Sequence, residues 1–184
     1  MRRSYKSKSR KIIDWAVLVL IAGGMAIFIS RLPQTKIAGP VQVLDGDSLV
    51  VEGNEIRLYG IDAPEGRQMC QDKTGSQYSC GKLAARALRT LVSGSEVDCV
   101  VVTKDRYARN VSRCIAKGKE LNREMVRQGW AVAYRSHAQD YLATENEARS
   151  AGRGIWQGAF ERPGEWRRKQ AAAADAAVGK PPPD

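Results

Sequence analysis

The spacing of apolar positions changes several times along this 184-residue chain, and each change marks an element. Residues 12–30, IIDWAVLVLIAGGMAIFIS, are apolar except for Asp14 and Ser30. A stretch with no polar face is the pattern of a membrane-targeting segment rather than of a core helix. From Pro40 the spacing shortens to near alternation, and VQVLDGDSLVVEGNEIRLYGID, broken by turn residues at Asp45-Gly46 and Glu52-Gly53-Asn54, predicts a meander of three strands. A polar, glycine-bearing loop follows from Gly66 to Gln77. SCGKLAARALRTLVSG then sets Leu83, Ala87, Leu88 and Leu91 at helical spacing, with Lys82, Arg86 and Arg89 elsewhere on the wheel and Gly94 as a stop. SEVDCVVVTKDRYARNVSRCIAKGKEL predicts two more strands joined near residues 105–108, and residues 121–128 and 139–151 read as helices ending at Gly129 and Gly152. Five strands with a helix between the third and fourth predict an α+β, mainly β fold: a five-stranded OB-type Greek-key barrel with three helices.

Composition refines this picture. The chain has room for one domain of about 100–150 residues plus tails. Its boundaries are expected as a basic cytoplasmic stretch (1–11), a transmembrane signal anchor or signal peptide (12–30), a linker (31–39), the domain (40–160) and an alanine- and proline-biased, disordered tail (161–184). The net charge of +10 would point to a polyanionic partner, but six basic residues lie within MRRSYKSKSRK, and only +5 remains from residue 15 onward. Positive charge ahead of the apolar run keeps the N-terminus cytoplasmic. The domain is therefore expected beyond the membrane, in a periplasm or outside the cell, tethered by residues 12–30 or secreted if they are cleaved.

The cysteines fit an oxidising compartment. Cys70, Cys80, Cys99 and Cys114 contain no Cys-x-x-Cys, and His137 is the sole histidine, which argues against a structural zinc site. Of the three possible disulfide pairings, Cys70 with Cys80, around a glycine-containing loop, and Cys99 with Cys114, on neighbouring strands, is the one expected; four buried thiols are the alternative. His137 reads as a surface residue, and Trp130, Trp156 and Trp166 as packing residues.

The charged residues gather at strand ends. Asp45 and Asp47 lie in a turn, Arg57, Asp62 and Glu65 in RLYGIDAPE, and Arg106 and Arg109 in DRYAR. Aspartates with a backbone carbonyl make an oxygen-only site suited to a hard cation such as calcium. Arginines offer planar forks for a phosphoryl group, and a glutamate beside them can take a proton from water. Taken singly, Asp-Gly is a common hairpin turn and Asp105 with Arg109 a surface ion pair. Together they are the parts that phosphodiester hydrolysis needs.

VLDGDSLVV, RLYGIDAPE, DRYAR and LNREMVRQGWA, in this order, resemble the motif series of the staphylococcal nuclease (thermonuclease) family from about Pro40 to Trp156. The resemblance implies an OB-type barrel and a calcium-dependent endonuclease that hydrolyses DNA and RNA to 3′-phosphate ends, expected as a monomer. It implies Asp47, Asp62 and the main-chain carbonyl of Ala63 as metal ligands, with Asp45 behind them. It implies Glu65 as the general base and Arg57 and Arg109 as the arginines on the scissile phosphate. Arg106, Tyr107 and Tyr134 would contact substrate. Ala63 stands where the family usually has threonine, Ala108 where glycine is common, Arg106 where lysine is common, and Ser136 about where a second tyrosine would stand. The alternative is a catalytically silent nucleic-acid-binding or envelope interaction module on the same scaffold, although Asp47, Asp62, Glu65, Arg57 and Arg109 are all present.

Overall fold

The turns foreseen in the sequence fold the middle of the chain into one ladder. A computed structural model of the chain describes residues 15, 17–21, 35–134 and 139–178. Residues 1–34 and 35–184 are separate units. In the first, Trp15 and residues 17–21 are helical; among the described residues no helix is long and apolar enough to cross a membrane. The rest of the expected 12–30 segment lies outside the described residues.

In the second unit the strands are β1 (Lys36–Gly39), β2 (Val41–Val43), β3 (Ser48–Val51), β4 (Asn54–Leu58), β5 (Ile61–Asp62), β6 (Cys70–Gln71), β7 (Gln77–Tyr78), β8 (Val97–Lys104), β9 (Asn110–Ala116), β10 (Lys119–Glu120) and β11 (Val132–Ala133). The helices are α1 (Cys80–Val92), α2 (Leu121–Arg127), α3 (Leu142–Ser150), a 3-10 turn (Gly154–Gln157) and α4 (Pro163–Val178). Seven strands form one sheet in the order β1-β8-β9-β4-β3-β2, with β10 on β9; β5 pairs with β11 and β6 with β7. Only β4 and β9 run parallel within the main sheet. The five expected strands are thus β2, β3, β4, β8 and β9, within a seven-stranded sheet consistent with the OB-like fold; the two ends of its path, β1 and β2, are separated in sequence only by Pro40.

Three expectations are corrected. The presumed linker contains β1, whose Ile37 pairs with Cys99 and whose Gly39 pairs with Val97. The Gly66–Gln77 loop carries the β6–β7 ribbon. The tail is not without structure: α4 runs to Val178, and four helices plus the 3-10 turn replace the three foreseen. PGEWRRKQAAAADAAV has proline in its first turn, Glu165 near the N-terminus and a run of strong helix formers. Its alanine bias signals helix rather than disorder.

Period-2 alternation on β3 and β4 buries Leu49, Val51, Ile56 and Leu58, each stabilising by about 1.5–3 kcal/mol. Helix α1 lies over this core with Ala84, Ala85, Leu88 and Val92 buried, while Ala87 and Leu91 are only partly so. The buried face is therefore turned from the one expected, because small residues let the helix approach closely. Helix α2 buries Met125, Val126 and Asn122. The Asn122 amide donates to the carbonyls of Tyr59 (2.9 Å) and Ser112 (3.1 Å) and accepts from the Cys114 N–H (3.1 Å), pinning α2 to the sheet. Both disulfides form in the expected pairing, Cys70–Cys80 and Cys99–Cys114. Cys99 and Cys114 are direct cross-strand partners, and Cys70 and Cys80 join a second small core with Val132 and Ile155. Trp130 and Trp156 pack against that core, and Trp166 is half-buried on α4. His137 and Ser136 lie outside the described residues.

Candidate active site

The site begins at the turn between β2 and β3. The Asp45 carboxylate accepts the main-chain N–H of Asp47 at 2.9 Å, the two-residue span of an Asx turn. Gly46 has no alternative there, since a Cβ would lie 2.7 Å from that of Ala63 and 2.8 Å from that of Ala84. Asp47 enters the protein interior, 3% exposed. Its Oδ1 accepts from Arg57 Nη1 (3.1 Å) and the Ser48 hydroxyl (3.2 Å), and its Oδ2 from the Ala63 N–H (2.9 Å).

Arg57 reaches Asp47 because Ser48 is its partner in the β3–β4 register. Gly60, with a φ of 74°, then turns the chain, so that Asp62 of β5 returns to the same guanidinium, Nη2 to Oδ1 at 2.8 Å. Asp62 is likewise 3% exposed. Glu65 follows on a loop seated against the start of α1, where a Cβ on Gly81 would stand 1.8 Å from the Glu65 carbonyl oxygen. The buried Gln68 accepts the Glu65 N–H on its side-chain oxygen (3.2 Å) and donates its own N–H to the Glu65 carbonyl (2.7 Å).

Sequence reasoning missed Arg167 of α4. Its Nη2 contacts both oxygens of Asp62 (2.9 and 3.0 Å), and its Nη1 contacts Glu65 Oε1 at 2.6 Å. These carboxylates outweigh burial and hold the guanidinium more firmly protonated than a free arginine. The local signals for α4 were present in the sequence, but nothing local points from residue 167 to residue 62. Ser48 was also missed.

The two arginines of the DRYAR turn stand apart from this cluster. Arg109 Nε meets Asp105 at 2.8 Å, and its Nη1 meets Glu55 at 3.4 Å. Burial opposes ionisation of Asp105, but hydrogen bonds from the Arg109 side chain and from the Tyr107 and Arg109 main chain hold its carboxyl below the usual range. Glu55 and Arg57 share one face of β4, which puts Arg109 beside the cluster without contact to it among the described residues. Tyr107 is exposed and lies between the Arg106 (4.8 Å) and Arg109 (5.6 Å) guanidiniums. Tyr134 is 39% exposed, and its N–H donates to the Gly60 carbonyl at 2.9 Å.

Asp47, Asp62 and Glu65 therefore share two guanidiniums, Arg57 and Arg167, with Asp45 capping the main chain of Asp47 beside them. Burial pushes the Asp47 carboxyl up to about 7; Arg57 works against this, and the charges of Asp45 and Asp62 add to it. A divalent cation fits the all-oxygen donor set. Among the described residues no group of three acidic, histidine or cysteine side chains converges to hold a metal ion. A cation here would rest on Asp47 and Asp62, with carbonyl and water oxygens completing its shell.

The chain matches the family model for staphylococcal nuclease homologues over residues 55–158. It is 38% identical over 124 residues to the succinoglycan biosynthesis protein ExoI of Rhizobium meliloti, covering 66% of this chain and 65% of that one. It is 33% identical over 139 residues to an uncharacterized endonuclease of Haemophilus influenzae, covering 71% and 72% of the two chains. It is 32% identical over 145 residues to the staphylococcal-like nuclease CAN1 of Arabidopsis thaliana, covering 76% of this chain and 42% of the plant protein. The fold and site define an α+β domain with an acidic, arginine-bridged cluster at its strand ends. The chain belongs to the staphylococcal nuclease homologue family.

Proposed function

We propose that the chain is a phosphodiester hydrolase, an endonuclease acting on DNA and RNA. The observation that carries this reading is the bridging of Asp47 and Asp62 by Arg57 beside Glu65, one oxygen-rich cluster with a base and a guanidinium. Relatives named as an endonuclease and as a staphylococcal-like nuclease support it.

Glu65, with its side chain 31% exposed, accepts a proton from a water poised opposite the leaving oxygen. The hydroxide so formed attacks phosphorus in line. Arg57 spends two of its five N–H donors on Asp47 and Asp62; the others are free for a phosphoryl oxygen as its charge grows. Arg109 would release Glu55 to meet the same phosphate and steady the leaving oxygen, giving a 3′-phosphate end. Tyr107 and Tyr134 offer stacking surfaces to flanking bases, and Arg106 a contact to the next phosphate. Calcium, held by Asp47, Asp62 and the Ala63 carbonyl, would supply Lewis-acid charge stabilisation when bound. The paired cysteines and the basic-then-apolar N-terminus support a domain exported across a membrane, tethered or released, and working as a monomer.

A second reading has one observation in its favour. Both oxygens of Asp62 are already taken by Arg167, as they would be in a scaffold that binds nucleic acid without cutting it. The experiment incubates the oxidised chain, wild type beside Glu65→Gln, with 5′-labelled single-stranded DNA and RNA in calcium, magnesium or chelator. The hydrolase reading expects calcium-dependent products, shifted by phosphatase and absent in the variant. Tight, salt-sensitive binding without products would establish the scaffold instead.

A further inference from the structure

The family match ends at residue 158, and Arg167 lies nine positions beyond it. Four contacts nevertheless bind residues 158–162 to Gln68 of the Glu65 loop, to β6 and to α3. The Ala159 carbonyl accepts the Gln71 N–H at 2.8 Å, and the Gln68 amide donates to the Glu161 carbonyl at 2.6 Å. Arg162 meets the buried Glu145 at 3.4 Å. Gly158 sits so close to β6 that a Cβ would lie 2.3 Å from the Gln71 carbonyl oxygen. Gln68 thus holds Glu65 through one end of its amide and the approach to α4 through the other. These contacts tie down the segment, which delivers Arg167 between Asp62 and Glu65.

We infer that Arg167 is a positioning residue of the active site: its guanidinium fixes Glu65 facing Asp62, and the catalytic unit extends through α4 beyond the family domain. The inference rests on the nuclease reading. Without a bound cation, a carboxylate beside the buried Asp62 would be driven outward by like charge. A planar fork spanning both carboxylates reverses that repulsion and sets their separation. Arg167 acts through Glu65, so its loss should lower turnover more than substrate binding.

The test uses the full chain with Arg167→Ala and Arg167→Lys, each checked for native helix content. Arg167→Ala is expected to lower kcat by about 10²-fold, the scale of a misplaced catalytic group, with KM changed by less than about 3-fold. Arg167→Lys should recover only a small part of the loss, because a point charge cannot hold two carboxylates at once. Added guanidinium ion should restore turnover in Arg167→Ala and leave wild type unaffected. In chelator, the same ion should raise the melting midpoint of Arg167→Ala above that in an equal concentration of sodium, a readout independent of cleavage. Wild-type turnover in Arg167→Ala overturns the proposal, as does a rise in turnover, which would make Arg167 a restraint. A loss confined to KM also overturns it, by moving Arg167 onto the substrate. An inert wild-type chain overturns the nuclease reading and this proposal together; an active wild type with an unaffected variant overturns this proposal alone.

Discussion

Arg57 and Asp47 meet across the β3–β4 ladder, Nη1 to Oδ1 at 3.1 Å, and the other arm of the same guanidinium holds Asp62 at 2.8 Å. One planar group thereby spaces two buried carboxylates. Arg57→Lys cannot span both, and turnover is expected to fall by about 10²-fold or more, close to the loss in Arg57→Ala. Steady-state cleavage of a labelled oligonucleotide reads this. Lysine turnover within a few fold of wild type would remove Arg57 from the phosphate.

Glu65 separates chemistry from stability. It is partly exposed and its ion pair is single, so Glu65→Gln should shift the melting midpoint by only a few degrees. Cleavage should fall by about 10²–10⁴-fold, the contribution of a general base. A variant that melts far earlier would mean Glu65 holds the loop as well as the proton.

Asp47 gives a pH dependence. Its carboxyl, raised from 3.8 to about 7 by burial, is favoured in the protonated form by the folded state. That contribution to stability is complete below about pH 4 and is lost as pH rises through about 7. In chelator, the midpoint of Asp47→Asn relative to wild type should therefore climb between pH 5 and pH 8, with a ceiling of about 4 kcal/mol for a rise of this size. Added calcium should narrow the gap at pH 8 by stabilising wild type alone. A pH-independent difference would contradict the raised value.

The Cys99–Cys114 bridge joins direct cross-strand partners 15 residues apart in sequence, and neither cysteine is one of the charged residues of the site. Replacing both residues with serine should cost about 2–4 kcal/mol and leave kcat unchanged below the new midpoint. Denaturant titration and initial rates on the same preparation distinguish the two effects.

Ala108 occupies the left-handed region at a φ of 63°, in the turn that presents Arg109. Glycine relieves about 1 kcal/mol of strain there, partly offset by its freer unfolded state. Ala108→Gly should therefore raise stability slightly, and a drop would show that the methyl group packs.

Alternation made β2, β3, β4, β8 and β9 legible, because each presents one face to the core. It did not reveal β1: KIAG is too short to show a period, and it is a strand only because β8 has a free edge to receive it. Asp47, Arg57, Asp62 and Glu65 were legible because the chain brings them together through the β3–β4 hairpin and the Gly60 turn within 20 residues. Arg167 was not, since its partner Asp62 is 105 positions away and the contact depends on how α4 docks. Alanine-rich sequence around it was read as low complexity, although alanine is the strongest helix former. Ser136 and His137 lie outside the described residues.

The closeness of Gly81 to Glu65 gives the site a mechanical vulnerability unconnected with charge. The loop rests on bare backbone, with the Glu65 carbonyl where a methyl group would have to be. A single carbon at position 81 would act as a wedge, lifting the loop off its seat and swinging the carboxylate away from its neighbours. Every acid and arginine of the cluster would remain in the chain, and the sequence motifs would still read as intact.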